Sequence, residues 1–341
     1  IACAGSGKTE VITRRIANIL RSKPSIKPEN IVAFTFTEKA AESMKKRIVK
    51  ALGANTSTNI DHMYVGTIHG FCYHLLNKYT EQFREYKVLD SVKSHLFVAR
   101  YCNECGMSDL NLEPYPRNVN LFLQCIDKMI DDYDNADTWT QEQREVLNKY
   151  IGCLYSHNYI DFALMIFETL RQIESNPEVK DYLSRIKYLV VDEYQDVNDL
   201  QEKLILRIAE TGANICVVGD ADQSIYGWRG ADITNILDFE KDYPEAKLVK
   251  LEQNYRSTQV ILDAANAVID NNTGRKPKNL WTDNGTGKEI TYFKAIDERD
   301  EARFVVEQLQ GLERRENKKL GDMAILYRTN TQSRVFEEML I

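Results

Sequence analysis

The first ten residues, IACAGSGKTE (1–10), contain the motif that decides the fold. Ala2–Thr9 matches the phosphate-loop pattern G-x-x-x-x-G-K-[ST], with alanine in place of the first glycine. Gly5 and Gly7 allow successive backbone N–H groups to point at phosphate oxygens, and the helix that follows directs its positive end to the same place. The loop predicts a nucleoside triphosphate site, although almost no strand precedes it.

The loop residues have distinct predicted roles. We expect Lys8 to contact the β- and γ-phosphates and the Thr9 hydroxyl to bind Mg²⁺. The residues predicted to bind ATP in this segment are Ala4, Gly5, Ser6, Gly7, Lys8, Thr9 and Glu10. A flexible glycine turn before an amphipathic helix is the alternative interpretation of the same stretch.

A second motif, LVVDEYQD (189–196), is an apolar run that ends in two adjacent carboxylates. The carboxyl end of a parallel strand reaches the crevice where ligands bind. Asp192 is therefore predicted to hold Mg²⁺, and Glu193 to orient and deprotonate the attacking water. A dedicated water-activating glutamate indicates hydrolysis and argues against phosphoryl transfer to a metabolite.

A third motif, VVGDADQSIYGWRGAD (217–232), begins as a buried strand and ends in a polar turn. Gln223 is predicted to sense the γ-phosphate. Tyr226, Trp228 and Arg229 follow it, and two rings beside a cation are suited to stacking on exposed bases. Core packing of the rings, Trp228 in particular, is the alternative.

A fourth motif, LEQNYRST (251–258), carries Arg256 beyond the end of the first predicted α/β domain. Arg256 is predicted to stabilise charge on the γ-phosphate when two domains close. Tyr255 beside it is predicted to cover the adenine face. A Tyr-Arg pair alone does not indicate an ATP site, and this prediction depends on the presence of the other three motifs.

Short apolar runs alternate with helical periodicity along the chain, which predicts an α/β fold with parallel sheets. The predicted strands are 31–36, 188–194, 215–220, 247–251, 290–295 and 323–328, with helices such as 38–52 and 200–209 between them. We divide the chain into a first domain (1–86 and 158–252), a mainly helical insertion (87–157) and a second, incomplete domain (253–341).

Composition excludes several classes of protein. The chain has 341 residues, 43% of them hydrophobic and 28% charged, with no apolar run long enough to span a membrane. A net charge of −7 argues against nonspecific coating of nucleic acid but permits a local basic groove. Seven cysteines without regular spacing indicate a reducing compartment, which we take to be the cytoplasm. Cys102-x-x-Cys105 is interpreted as two ordinary thiols on a helix, with a metal site as the alternative.

Eight ordered segments together resemble the superfamily 1 DNA helicases of the UvrD/Rep type. The segments are ACAGSGKT, AFTFTEKAAESMKKRI, VGTIHGFCYHLL, YIDFALMI, YLVVDEYQDVN, VVGDADQSIYGWRGAD, LEQNYRST and MAILYRTNTQSRVFEEML. The resemblance implies two RecA-like domains with ATP and Mg²⁺ between them, and 3′-to-5′ movement on single-stranded DNA and at junctions with duplex. In repair or replication restart, such a motor unwinds duplex DNA.

The resemblance also assigns residues. It makes Arg256 an arginine finger and implies DNA contacts for Phe36, Thr37, His69, Phe162, Tyr226, Trp228, Arg229, Arg328 and Asn330. For His69, a capping or core position is the alternative. Protein partners are not implied.

Three alternatives remain at this stage. One is the motor part of a helicase–nuclease subunit for double-strand break processing, one a P-loop small-molecule kinase, and one a non-catalytic binding protein that has kept the fold. Family members begin before the phosphate loop and continue past the last segment. We therefore expect a fragment with little or no activity on its own.

Overall fold

Four parallel strands form the main sheet. In the computed structural model, the strand order of this sheet is β2-β1-β5-β6. The structure describes residues 1–53, 59–113, 115–272 and 274–341, with all of their side chains except those of Asp134 and Arg229. The strands of the described chain are β1 (Ile31–Phe34), β2 (Tyr64–Gly66), β3 (Lys87–Leu89), β4 (Tyr159–Asp161), β5 (Tyr188–Val191) and β6 (Asn214–Val217). The α/β class is confirmed, and three predicted strands coincide with β1, β5 and β6.

Helices cover the strands and fill the stretches between them. They are α1 (Lys8–Ser22), α2 (Glu38–Leu52), α3 (Ile68–Tyr79), α4 (Ser91–Arg100), α5 (Pro116–Asp131), α6 (Gln141–Ser156), α7 (Phe162–Ser175), α8 (Pro177–Ser184), α9 (Asp199–Ala209), α10 (Thr234–Asp242), α11 (Gln259–Ile269), α12 (Glu298–Glu316) and α13 (Ser333–Leu340). The helix predicted at 38–52 matches α2, whose first turn is capped by the Thr37 hydroxyl.

The two faces of β1 belong to two separate hydrophobic clusters. Val32 and Phe34 pack with buried residues of α3, α7 and α9, whereas Ile31 and Ala33 pack with those of α1 and α2. All four β1 residues are buried. This explains the uninterrupted apolar run in the sequence, because a parallel strand covered on both faces has no polar side.

Residues 87–157 are mainly helical, with α4, α5 and α6 separated by turns. The strand that precedes these helices, β3, pairs in parallel with β4, which follows them. The entry and exit of this segment are thus joined in a two-stranded sheet of their own. Its interior includes Phe122 and Tyr150, both fully buried.

The first residues of the phosphate-loop motif join the edge of the main sheet. The Ala2 N–H donates to the Gly219 carbonyl just beyond β6 (2.9 Å), and the Cys3 N–H donates to the Leu251 carbonyl (3.1 Å). Ala2 and Leu251 form a parallel bridge. The predicted strand 247–251 is therefore reduced to this single bridge, while the loop still starts from the sheet as a phosphate loop requires.

The described residues divide into two compact units, Ile1–Gly285 and Thr286–Ile341. The second unit contains α12 and α13, and its described residues include no strand. The strands predicted at 290–295 and 323–328 are thus not observed. Tyr292 and Leu326 are 86% and 93% exposed, so these extended runs lack the neighbour that a β-ladder needs.

Over the part of the chain that is described, no helix combines the length and the apolar character needed to cross a bilayer.

Candidate nucleotide site and aromatic surface

The phosphate loop turns sharply at its two glycines. Gly5 (φ 70°) and Gly7 (φ 85°) are in the left-handed region, and Gly7 directly precedes α1. The Ser6 hydroxyl donates to the Cys3 carbonyl at 2.8 Å and closes the turn. Glu10, in the first turn of α1, pairs with Arg14 at 2.6 Å. The loop thus presents the start of a helix to a ligand, the arrangement that suits an anion.

The LEQNYRST segment packs directly against the loop. The buried Asn254 donates its amide to the Ala4 carbonyl (2.7 Å), and the Tyr255 N–H donates to the Gly5 carbonyl (3.0 Å). A side chain on Gly5 would lie 2.9 Å from Cβ of Arg256. Both Arg256 and Tyr255 are exposed and belong to the same compact unit as the loop.

Asn254 also fixes the backbone around Arg256. Its side-chain oxygen accepts hydrogen bonds from the N–H groups of Arg256 (2.8 Å) and Ser257 (2.7 Å). One buried amide therefore ties the phosphate loop on one side and shapes the turn that carries the arginine on the other. Asn254 was not among the predicted site residues, although Asn before such a turn is a recognisable Asx signal.

The two adjacent carboxylates meet the loop lysine at the end of β5. Lys8 Nζ donates to Glu193 Oε2 at 2.6 Å. Glu193 has φ 51°, a left-handed conformation that costs a non-glycine residue about 1–3 kcal/mol and is typical of functional sites. Burial, followed by the charge of Glu193, raises the pKa of Asp192 to about 6. The sequence-predicted residues Lys8, Asp192 and Glu193 are thus together.

Gln195 connects this site to the third motif. It is 1% exposed, and its side-chain nitrogen donates to Glu193 Oε2 (3.1 Å) and to Asp196 Oδ2 (2.9 Å). Its side-chain oxygen accepts from the N–H of Asp220 at 2.8 Å. We call Glu193, Gln195 and Asp220 the Gln195 bridge. Gln223 belongs to its far end, since its amide donates to the Asp220 carboxylate.

Two cations from the segment after α11 neutralise that far end. Lys278 is buried, forms an ion pair with Asp220, and lies 3.0 Å from Asp222 Oδ2. Arg275 is 3.4 Å from the same Asp222 oxygen. No role was predicted for this segment from the sequence, and only its cluster of basic residues could have indicated one.

The carboxylates fit a divalent cation in their charge and chemistry. Asp192, Glu193 and Asp196 lie together, with Lys8 as the cation paired to Glu193. Burial and the Glu193 charge raise the pKa of Asp196 to about 6, and its buried Oδ1 has no partner within the described residues. Carboxylate and hydroxyl oxygens are the ligands that Mg²⁺ prefers. Asp192 therefore suits the predicted role as a Mg²⁺ ligand, and Thr9, next to Lys8 in the first turn of α1, stays the predicted hydroxyl ligand.

A row of aromatic rings lies at the carboxyl end of the sheet. Phe36, just after β1, stacks on Tyr226, with ring centroids 5.0 Å apart and an interplanar angle of 27°. Tyr226 contacts Trp228 at 6.3 Å. Phe36 is 40% and Trp228 74% exposed, so core packing of Trp228 is wrong. We call Phe36, Tyr226 and Trp228 the aromatic row.

A second ring pair involves His69 and Phe162, whose centroids are 4.8 Å apart. Phe162 is 43% exposed at the start of α7, and burial lowers the pKa of the half-buried His69 to about 4. His69 is therefore neutral at physiological pH, and it offers a flat ring without charge. His69 is therefore neither a fully buried core residue nor a fully exposed one, and its ring contacts the exposed ring of Phe162.

The other residues predicted to contact DNA lie in separate parts of the chain. The Thr37 hydroxyl accepts from the Ala40 N–H at 3.1 Å, so it serves α2 as a cap. In the second unit, the Arg328 N–H donates to Gln332 at 2.8 Å, and Asn330 begins the turn before α13. The Arg229 side chain lies outside the described residues.

Comparison with known proteins agrees with this arrangement. The UvrD/REP helicase N-terminal domain model matches residues 1–244, and the UvrD-like helicase C-terminal domain model matches residues 249–341. The chain belongs to the UvrD/Rep helicase family. It is 41% identical to the ATP-dependent DNA helicase PcrA of Staphylococcus aureus strain Mu50 over 99% of this chain and 46% of that protein.

Two further relatives of this UvrD/Rep-type chain have nearly the same sequence identity to it. The PcrA helicase of Bacillus subtilis strain 168 is 41% identical over 100% of this chain, and that of Staphylococcus epidermidis is 40% identical over 99%. The chain spans about half the length of the curated relatives it matches, 46% in each of these two.

Proposed function

We propose that this chain is the motor part of an ATP-dependent helicase that moves 3′ to 5′ along single-stranded DNA and opens duplex at junctions. One observation carries the proposal. The short segment Gln223–Trp228 is tied to the nucleotide site at one end by the Gln195 bridge and contributes two rings of the aromatic row at the other. The names of the PcrA relatives support ATP and DNA as the ligands.

The proposed hydrolysis begins with an exchange of partners at Lys8. In the structure, Lys8 is held by Glu193. The triphosphate brings more negative charge than one carboxylate, so it draws Lys8 to the phosphates and frees Glu193 to accept a proton from water. Thr9 and Asp192 would hold Mg²⁺, which offsets charge on the triphosphate when bound.

Arg256 is proposed to stabilise the negative charge that develops on the γ-phosphate. Its backbone is fixed beside Gly5 by Asn254, while its side chain is exposed. Tyr255, 66% exposed next to it, is proposed to cover the adenine ring. A fixed backbone that carries an exposed guanidinium beside the phosphate loop suits a group that stabilises charge on a phosphoryl transition state.

The proposed grip on DNA is stacking. Exposed aromatic rings hold bases with about 1–3 kcal/mol each and tolerate any sequence, because every base has a π-face. The net charge of −7 agrees with a local grip of this kind and not with a broad cationic surface. The second ring pair, His69 and Phe162, follows β2 and β4 and is proposed to add further base contacts.

The proposal is tested by separating hydrolysis from DNA binding in the full-length protein. Glu193→Gln should lower DNA-stimulated ATP turnover by about 10²–10⁴-fold while ATP still binds. Trp228→Ala should keep basal ATP turnover and weaken single-stranded DNA binding by about 5- to 150-fold, since it removes one stacking ring. Tyr73→Ala, an exposed ring on α3 outside the aromatic row, is the control. Unchanged DNA affinity in Trp228→Ala would sink the proposed grip.

A further inference from the structure

Three metal-ligand side chains converge in the helical segment 87–157, to which the proposed helicase chemistry assigns no role, and a fourth is hydrogen-bonded to one of them. Glu104, Cys153 and His157 place one ligand atom each within 4.8 Å of one another. Cys105 adds a second thiol, whose S–H donates to the Cys153 sulfur at 3.4 Å. The residues come from the turns after α4 and from the C-terminal end of α6.

The spacing of the ligands has a structural basis. Cys153 and His157 are four residues apart, so at the end of α6 they lie on one face. Glu104 and Cys105 are consecutive in a turn, and one is exposed while the other is fully buried. The two elements thus bring an exposed carboxylate, a half-buried imidazole and the buried Cys153 thiol close to one another, with the buried Cys105 thiol hydrogen-bonded to Cys153.

The imidazole of His157 is held in place by its neighbours. Its Nδ1 lies 2.9 Å from the Cys153 carbonyl and 3.0 Å from the Ser156 hydroxyl, and the tautomer that donates from Nδ1 to the carbonyl leaves the Nε2 lone pair free to bind a metal. The rings of Phe97 and Tyr101 hold the imidazole, with centroids at 5.5 and 4.3 Å. Metal-bound histidines usually donate their second nitrogen to a carbonyl or carboxylate in this way.

We propose that Glu104, Cys105, Cys153 and His157 form a zinc site that joins the turn after α4 to the end of α6. Two thiolates, an imidazole and a carboxylate are borderline-soft donors suited to tetrahedral Zn²⁺. Two thiolates bound at about 2.3 Å in such a site lie about 3.8 Å apart, so the 3.4 Å distance between the two sulfurs is close to that of a shared metal. Cys105 must also move toward Glu104 and His157 to complete the site.

Binding must release protons. Burial raises the pKa of both thiols, so each is an uncharged S–H in the metal-free chain. Zinc replaces these protons, and its affinity should therefore rise with pH. The sequence predicted thiols on a helix because the second pair of ligands lies far along the chain. Cys102, the other half of the sequence pair, is not part of this site.

The test uses the reduced full chain, without a polyhistidine tag, and Co²⁺ as a spectroscopic probe. We expect one Co²⁺ per chain, with a thiolate charge-transfer band and the intense visible bands of tetrahedral cobalt, both lost when one equivalent of Zn²⁺ is added. Zinc should also raise the thermal unfolding temperature. Absence of the thiolate band would overturn the proposal. Formation of a Cys105–Cys153 disulfide in air at the same rate with and without Zn²⁺ would also overturn it.

Variants identify the ligands. His157→Gln should weaken cobalt affinity at least about 100-fold, because losing a ligand costs no less than losing its supporting partner. The exposed Glu104→Gln, which cannot disturb the core, should weaken it at least about 10-fold. Cys125→Ser and His95→Gln are matched controls from α5 and α4 and should bind as the wild type does. Equal affinities in Glu104→Gln, His157→Gln and the controls would place the ion elsewhere and refute the site.

Discussion

Replacing Gln195 by methionine removes the centre of the Gln195 bridge without changing the length of the side chain. Two of its three side-chain hydrogen bonds go to carboxylates, at 3.1 Å to Glu193 and 2.9 Å to Asp196. A hydrogen bond to a charged group contributes about 1.5–3 kcal/mol. If the bond to Glu193 holds that carboxylate for the attack of water, its loss should lower kcat/KM for ATP about 10- to 150-fold.

The same variant leaves the Asp220 N–H without its acceptor. That donor lies 2.8 Å from the Gln195 oxygen in a buried position, and an unsatisfied buried donor costs about 1–3 kcal/mol. Urea unfolding should therefore show a lower free energy of unfolding, while DNA-stimulated ATP turnover in the full-length protein reports the chemistry.

Gln201→Met is the matched control for this experiment. Gln201 accepts from the Asn198 N–H at 3.3 Å in the cap of α9, away from the carboxylates. Its replacement should cost about 1 kcal/mol of stability or less and leave turnover unchanged. A folded Gln195→Met variant with kcat/KM within about twofold of the wild type would refute the role of the bridge.

Three further outcomes follow from the site. Arg256→Ala should reduce ATP turnover by roughly 10³-fold with folding intact, and near-normal turnover would remove Arg256 from the chemistry. Gly5→Ala should weaken ATP binding and lower the unfolding temperature, because its Cβ would lie 2.7 Å from the Asn254 amide at a φ of 70°. The control is Gly152→Ala on α6, which has open space around it and should leave the unfolding temperature unchanged or raise it. Since the folded pKa of His69 is about 4 and the unfolded value about 6.5, the unfolded chain binds the proton first, so stability should fall as pH drops from 6.5 to 4. His69→Asn should flatten that slope in urea unfolding at several pH values, and an unchanged slope would contradict the burial of a neutral ring.

Local patterns predicted the elements and the chemistry that lie within single segments. The apolar run at 31–34 became β1 because both of its faces are covered, and the carboxylates at 192–193 follow β5 at the edge where parallel strands present ligands. Exposure of Trp228 was favoured by its glycine and arginine neighbours, and it is observed.

Contacts between distant segments were beyond the sequence. Gln195 and Lys278 both reach Asp220 from distant parts of the chain, because the fold brings the ends of β5 and β6 and a later loop to one point. No local periodicity encodes such a meeting. For the same reason, the contact of Cys105 with Cys153 could not be predicted from the sequence. The predicted strands at 290–295 and 323–328 likewise depend on pairing neighbours that local patterns do not reveal.

The most direct test of the motor is strand displacement by the full-length protein on duplexes with either a 3′ or a 5′ single-stranded tail. With ATP and Mg²⁺ present, the account predicts unwinding from 3′ tails, none from 5′ tails, and loss of both unwinding and ATP turnover in Glu193→Gln. Unwinding from 5′ tails alone, or unwinding that persists in Glu193→Gln, would contradict it.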